Sequence, residues 1–308
     1  MNKVIILLGP TGVGKTAASI ILAKELGTEI ISADSMQIYR HMNIGTAKPS
    51  EEERSGIIHH MIDIIDPSEE FSTGRYIEMV RPIIEDLLNR KKVPLIVGGT
   101  GLYIRAMTRG LFKGPSADWS LREHLLSIEK RERGFLYAYL RELDSEAVKK
   151  IMPSDTRRLV RAIEVCLKTE EGITNLQKRL TEPLPYEFIL IGLKRDRREL
   201  YRLIEGRVER MLSSGLIDEV KKVLQMNPGK TAMQAIGYKE ISLYLRGDIT
   251  LEEAVRLIKK RTKAYAKRQF TWFKKEEGII WIDVTGLFSP LEIYLQISRT
   301  GIKQLSRV

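Results

Sequence analysis

The segment that most constrains this chain runs from residue 4 to residue 16. Val4-Ile5-Ile6-Leu7-Leu8 is an apolar, β-branched run, and it leads directly into Gly9-Pro10-Thr11-Gly12-Val13-Gly14-Lys15-Thr16. The spacing is G-x-x-x-x-G-K-[ST], and Ala17, Ala18, Ile20, Ile21, Leu22 and Ala23 behind it suit a helix. Strand, glycine loop and helix in that order are the context a phosphate-binding P-loop requires. Glycines let the backbone wrap an anion, and successive N–H groups together with the helix N-terminus point at it. Lys15 brings a positive charge to the terminal phosphates, and the Thr16 hydroxyl can ligate Mg²⁺. The loop specifies a polyphosphate but leaves open which one, and whether a phosphoryl group is what moves.

Strand-like and helix-like segments continue to alternate after the loop. Glu29–Ala33 reads as a second strand, and residues 57–65 contain a third. Residues 73–90 read as a long amphipathic helix, and Pro94–Val97 as a buried strand ending in Gly98-Gly99-Thr100-Gly101. Such alternation predicts an α/β fold with a parallel sheet and a ligand at the carboxyl ends of the strands. Asp34 and Thr100 each follow a strand, so both are expected on the P-loop edge. From about 115 to 185 the strand signal disappears and short helices are predicted over 121–132, 135–143, 145–151 and 155–168. Strand character returns at Tyr186–Leu193 and again at Ile279–Val284, with helices between about 196 and 275. The expected organisation is therefore a P-loop NTPase-like core, residues 1–114 and 186–308, interrupted by an all-helical insertion at 115–185.

The chain has 308 residues, 43% of them hydrophobic and 30% charged, which suits a globular protein with a sizeable core. No apolar run approaches the roughly 20 residues that span a bilayer. A cytoplasmic protein, without membrane association and monomeric, is expected. A single cysteine, Cys166, excludes an internal disulfide and a cysteine-based zinc site, and its apolar helical setting points to a core role. The charge is more telling: 51 Lys and Arg against 40 Asp and Glu give +11, a balance that favours polyanionic partners.

Several constellations carry possible chemistry. In Ser32-Ala33-Asp34-Ser35-Met36-Gln37, Asp34 can hold Mg²⁺, accept a proton from a nucleophile, or cap a helix. The Gly98-Gly99-Thr100-Gly101 turn places a hydroxyl on the same edge, with glycines that permit close backbone approach. Between Arg256 and Lys275 lie nine basic residues and no acidic one, interleaved with Tyr265, Phe270, Trp272 and Phe273. That pattern suits phosphate neutralisation and base stacking, and so nucleic acid. Arg158 and Arg161 share a helix face in the insertion and are open to phosphate contact or to a solvated surface role. His59 and His60, adjacent on a strand, point to opposite faces and are expected to be structural.

Taken together, the chain resembles the tRNA dimethylallyltransferases, also called tRNA isopentenyltransferases. The resemblance rests on Gly9–Thr16, Ser32–Tyr39, Ile44–Pro49, His59–Pro67, Gly98–Tyr103, Asp155–Val165, Ala235–Lys239 and Lys267–Phe273, in family order over nearly the whole chain. It implies transfer of a dimethylallyl group from dimethylallyl diphosphate to N6 of adenosine 37 beside the tRNA anticodon. It implies that Gly9, Pro10, Thr11, Gly12, Val13, Gly14, Lys15 and Thr16 hold the diphosphate, with Mg²⁺ at Thr16 and with Arg207. Asp34 becomes the general base, helped by Thr100. Asp34, Ser35, Met36, Gln37, Thr100, Arg122, Arg158, Arg161, Lys267, Arg268, Gln269 and Trp272 are expected against the tRNA anticodon arm, which the insertion would clamp. A P-loop kinase of a small metabolite or nucleoside is the alternative. It leaves the basic, aromatic helix without a task.

Overall fold

A computed structural model describes residues 2–112 and 114–302. In chain order its elements are β1 (Lys3–Leu8), α1 (Lys15–Leu26), β2 (Ile30–Ala33), α2 (Glu51–Arg54), β3 (His59–His60), α3 (Thr73–Asn89), β4 (Leu95–Gly98) and α4 (Gly101–Thr108). There follow α5 (Trp119–Arg131), α6 (Phe135–Leu143), α7 (Ser145–Val148), α8 (Thr156–Thr169) and α9 (Ile173–Leu180). The chain then forms β5 (Glu187–Lys194), α10 (Arg197–Ser213), α11 (Leu216–Gln225), α12 (Tyr238–Leu245), α13 (Leu251–Phe273), β6 (Ile279–Asp283) and α14 (Pro290–Ser298).

The chain divides into two compact units, Arg105–Leu184 and the remainder. The larger unit is built on a six-stranded sheet in the order β3-β2-β4-β1-β5-β6, with every pairing parallel. This is the P-loop NTPase-like α/β fold. β1 lies between β4 and β5, and so Val4–Leu8 are wholly buried. An unbroken apolar run, rather than an alternating one, is what a strand covered on both faces needs. Leu22 and Ala23 of α1 and Ile293 and Ile297 of α14 pack on this core. A second core joins Ile38, Tyr39 and Met42 to Val208, Leu216, Tyr238 and Ile258 of the C-terminal helices.

The smaller unit is all-helical, with its own core of Leu125, Leu136, Leu140, Leu159, Ile163 and Cys166. It begins earlier than the 115–185 expected of the insertion. The chain entering it pairs with the chain leaving it: Leu184 N–H donates to Met107 O at 2.9 Å. Four helices, α2, α4, α9 and α14, lie outside the helical segments expected from sequence, although the capping boxes Ser50-x-x-Glu53 and Ser289-x-x-Glu292 mark the starts of α2 and α14. For α9 the cause is tertiary: Asp144 reaches across to its first turn and accepts from Thr174 N–H at 2.8 Å.

The two histidines of β3 are tied into the framework. His59 Nδ1 lies 2.9 Å from Ile57 O, and His60 Nε2 lies 2.7 Å from the Glu29 carboxylate. Glu29 is buried and also accepts from Arg90 and Lys92, which hold its carboxyl far below the usual carboxylate range.

Candidate active site

The phosphate loop closes β1 onto α1. Gly12 and Gly14 adopt φ of 81° and 107°, backbone that an L side chain resists, which accounts for glycine at both places. Beneath the loop, Ile204 of α10 sits where a Cβ on Gly12 would meet it at 3.2 Å. Lys15 folds back, its Nζ donating to Gly9 O and Pro10 O, each at 2.8 Å. Burial pushes its ammonium down to about 7; the Asp34 carboxylate opposes that shift and the Arg207 guanidinium adds to it. Arg207, from α10, reaches the loop at Thr11 Oγ1, 3.4 Å away, and burial lowers its pKa too. Among the described residues neither cation has a carboxylate within ion-pair distance. The pair forms a cationic cradle at the loop. The Thr16 hydroxyl, near the start of α1, is exposed.

Asp34 stands on the same edge, one residue past β2. Its Oδ1 accepts from Met36 N–H at 2.8 Å and from Gln37 N–H at 3.4 Å, so it holds the turn that follows. No helix follows Asp34, so it caps a turn over residues 35–38 and not a helix N-terminus. It uses one oxygen; Oδ2 receives no hydrogen bond among the described residues. Thr100 binds this turn to the next strand: its N–H donates to Ala33 O at 3.1 Å, and its Oγ1 accepts from Ser35 N–H at 3.0 Å. Asp34 acts electrostatically on Lys15, Arg207, Tyr103 and Tyr265, so a carboxylate, two cations and two phenols share one neighbourhood.

The C-terminal helix α13 lies over this edge with two different faces. Ala266, Gln269 and Phe273 are buried, whereas Lys267 and Arg268 are exposed. Tyr265 points inward to the side chains of Thr100 and Gln269, with burial raising its phenol pKa. Trp272 packs on Gly101, leaving no room there for a Cβ. Gln269, expected at the tRNA surface, is inside: it is 6% exposed and bonded to the phosphate loop. On the outer side, a cleft of about 470 Å³ between α10 and α13 is lined by Arg197, Arg256, Lys259, Lys260, Lys263 and Lys267, with Tyr201 and Glu205.

No structural role for the Ile44–Pro49 segment is legible in the sequence. Here its loop is clamped by Glu219 of α11, whose carboxylate accepts from the N–H groups of Asn43, Ile44 and Gly45 at 2.9, 2.8 and 3.0 Å. The Tyr238 hydroxyl also donates to Glu219, at 2.5 Å. Lys48 Nζ meets Asp63 at 2.5 Å and Tyr39 O at 2.7 Å. Gln37 Nε2 is held by Thr46 O and Ala47 O at 3.4 and 3.3 Å. Partners 174 to 176 residues apart leave no local signal in the sequence.

In the smaller unit, Arg122 makes a bidentate pair with Glu164, Nε and Nη2 lying 2.9 and 2.8 Å from its oxygens. Arg161 and the Asp118 N–H complete the shell of this fully buried carboxylate. Burial raises the Glu164 pKa, but these donors outweigh it and leave it at about 2. Arg158 is exposed and pairs with Asp155 at 3.3 Å.

A parallel α/β core whose carboxyl edge gathers a phosphate loop, a carboxylate and a hydroxyl beneath a basic helix is that of a group-transfer enzyme with a P-loop NTPase-like fold. The family model described as IPP transferase matches residues 37–276. The chain is 57% identical to the tRNA dimethylallyltransferase of Thermodesulfovibrio yellowstonii, over 92% of this chain and 93% of that one. It is 46% identical to that of Thermotoga maritima, with 92% and 93% covered. Among solved structures, the full-length tRNA isopentenylpyrophosphate transferase of Bacillus halodurans superposes with a TM-score of 0.71 at 40% identity, over 97% of this chain and 96% of the other. A eukaryotic dimethylallyltransferase acting on tRNA gives 0.80 at 31% identity, over 99% and 80%. The chain belongs to the tRNA dimethylallyltransferase family and is a prenyltransferase.

Proposed function

We propose that this enzyme transfers a dimethylallyl group from dimethylallyl diphosphate to N6 of adenosine 37, next to the tRNA anticodon, releasing diphosphate. The observation that carries this reading is the pair Lys15 and Arg207, half-buried at the phosphate loop with no carboxylate at ion-pair distance among the described residues, and with Asp34 acting on both. A diphosphate leaving group is an anion that these two cations suit. The N–H groups of Gly12 to Thr16 and the two cations stabilise the charge that develops as the C1–O bond breaks. The Thr16 hydroxyl is an exposed hard oxygen that no described side chain claims, which fits Mg²⁺. Mg²⁺ bound there with the diphosphate would further neutralise the leaving group.

The nucleophile is an exocyclic amine, a weak one that needs close positioning and a proton acceptor. Nitrogen forms the new bond to C1, and its proton passes to the free Oδ2 of Asp34. Thr100 holds the amine or the diphosphate against the same edge. The target base must leave its stack to reach this depth, at a cost of a few kcal/mol. Phosphate contacts offset that cost: Lys267 and Arg268 on α13, the basic cleft between α10 and α13, and Arg158 in the smaller unit. Arg122 and Arg161 reach RNA only by sharing or leaving Glu164.

Incubation with labelled dimethylallyl diphosphate, Mg²⁺ and an unmodified tRNA transcript, followed by nucleoside analysis, tests the whole reading. The expected product is N6-dimethylallyladenosine at position 37. ATP turnover without prenylation would overturn it in favour of a kinase.

A further inference from the structure

Gln269 lies on the core face of α13, between exposed Arg268 and half-exposed Phe270. Its Oε1 accepts from Thr11 N–H at 2.8 Å, and its Nε2 donates to Gly99 O at 2.9 Å. One planar carboxamide thus joins the crown of the phosphate loop to the turn that ends β4. The first partner is 258 residues away in sequence, the second 170. The residue after Gly99 is Thr100, which is bonded to Ala33 O and Ser35 N–H on either side of Asp34. Gln269 therefore spans the two halves of the site: the cradle for the leaving group, and the edge that carries the base.

The partners are chemically selective. Thr11 offers a donor and Gly99 an acceptor, and a primary carboxamide answers both from one rigid plane. A carboxylate has nothing to donate to Gly99, and an apolar side chain leaves both buried groups unpaired. Gly99 is shaped to the same pairing, since a Cβ there would overlap Gln269 Nε2 and would lie 3.2 Å from Gly9 O. Three residues on, Trp272 makes the matching close approach at Gly101. Residues i and i+3 share a helix face, so Q-x-x-W on α13 registers with G-x-G in the turn.

We infer that Gln269 is a positioning residue for prenyl transfer, a strut that fixes the phosphate loop relative to the Asp34–Thr100 edge, and not an RNA contact. The inference rests on the reading of the loop as the diphosphate site. A displacement of the order of an ångström at such a site can cost up to about a hundredfold in rate.

The test is Gln269→Met, which keeps volume and removes both hydrogen bonds. Three quantities are read on the full-length protein: the Kd of inorganic diphosphate with Mg²⁺, the Kd of an unmodified tRNA transcript, and KM and kcat for prenyl transfer. The expected result is kcat lowered about tenfold or more and diphosphate binding weakened severalfold, with tRNA Kd within about twofold of the parent. Gly99→Ala probes the same junction from the other side, should Gln269→Met fold poorly. The double variant Gly99→Ala/Gln269→Ala, which removes the overlap with Gln269 and leaves only the close contact with Gly9 O, should lose less than the product of the single effects. Unchanged diphosphate binding in Gln269→Met, or a loss confined to tRNA binding, overturns the inference. Absence of diphosphate binding in the parent protein overturns the diphosphate-site reading itself, and the inference with it.

Discussion

The chain carries two clusters of half-buried cations, and they are wired in opposite ways. At the phosphate loop, the side chains of Lys15 and Arg207 bond only to carbonyl and hydroxyl oxygens among the described residues, and burial lowers both pKa values. In the smaller unit, Arg122 and Arg161 close on Glu164, whose own pKa falls to about 2. A buried charge is costly unless it is paired. The second cluster settles that cost internally, and under the proposed function an incoming diphosphate would relieve it in the first. Basic residues seen in a sequence are thus not equivalent. The position of the nearest carboxylate decides whether they await a ligand or hold a fold.

The largest effect that bears on this contrast is catalytic. Asp34 opposes the first cluster without pairing with it, so Asp34→Ala should cut turnover by about a hundredfold or more, the scale of a lost general base. Affinity for tRNA should stay nearly intact; single-turnover assays beside binding isotherms separate the two. Normal turnover would remove Asp34 from the mechanism.

The second cluster should reveal itself in stability. Removing the charge of a buried partner, as in Glu164→Gln, costs on the order of 3–5 kcal/mol. The folded pKa of Glu164 is depressed from 4.5 to about 2, so its contribution is complete above about pH 4.5 and is lost as pH falls toward 2. Denaturant unfolding from about pH 7 down to about pH 3 should show a loss in the parent that Glu164→Gln lacks. Equal acid sensitivity in both would mean that Glu164 does not carry the second cluster.

Exposed cations should act more weakly and through salt. Lys267→Ala and Arg268→Ala should each weaken tRNA binding severalfold and flatten the dependence of log K on log salt by about 0.7–0.9 for each phosphate no longer neutralised. An unchanged slope would take these two residues off the RNA surface. The smallest effect is a fraction of a proton. Because burial holds Lys15 at about 7, an arriving diphosphate should raise its pKa and draw a proton from solution. Affinity for diphosphate should then fall as pH rises above about 7. Calorimetry in buffers of different ionisation enthalpy measures this uptake as the difference between the parent and Lys15→Met, because diphosphate itself releases protons on binding cations; a parent that takes up no more protons than the variant would contradict the sign.

Much of the site was legible in the chain because its parts are short and local. The apolar run, the glycine spacing and Lys15-Thr16 define strand, loop and helix within sixteen residues, each element needing only its neighbours. Asp34 and Thr100 were legible by position, since a parallel sheet sends the ends of its strands to one edge. What tertiary structure alone decided is which polar groups meet. The side of α13 that Gln269 occupies, the clamp of Glu219 on Asn43, Ile44 and Gly45, and the closure of Arg122 on Glu164 all join residues distant in sequence. A side chain's chemistry is written in its residue type, but its partner is set by packing. Hydrogen bonds and ion pairs act over about 3 Å, and no pattern within one helix or strand encodes a pairing made across the fold.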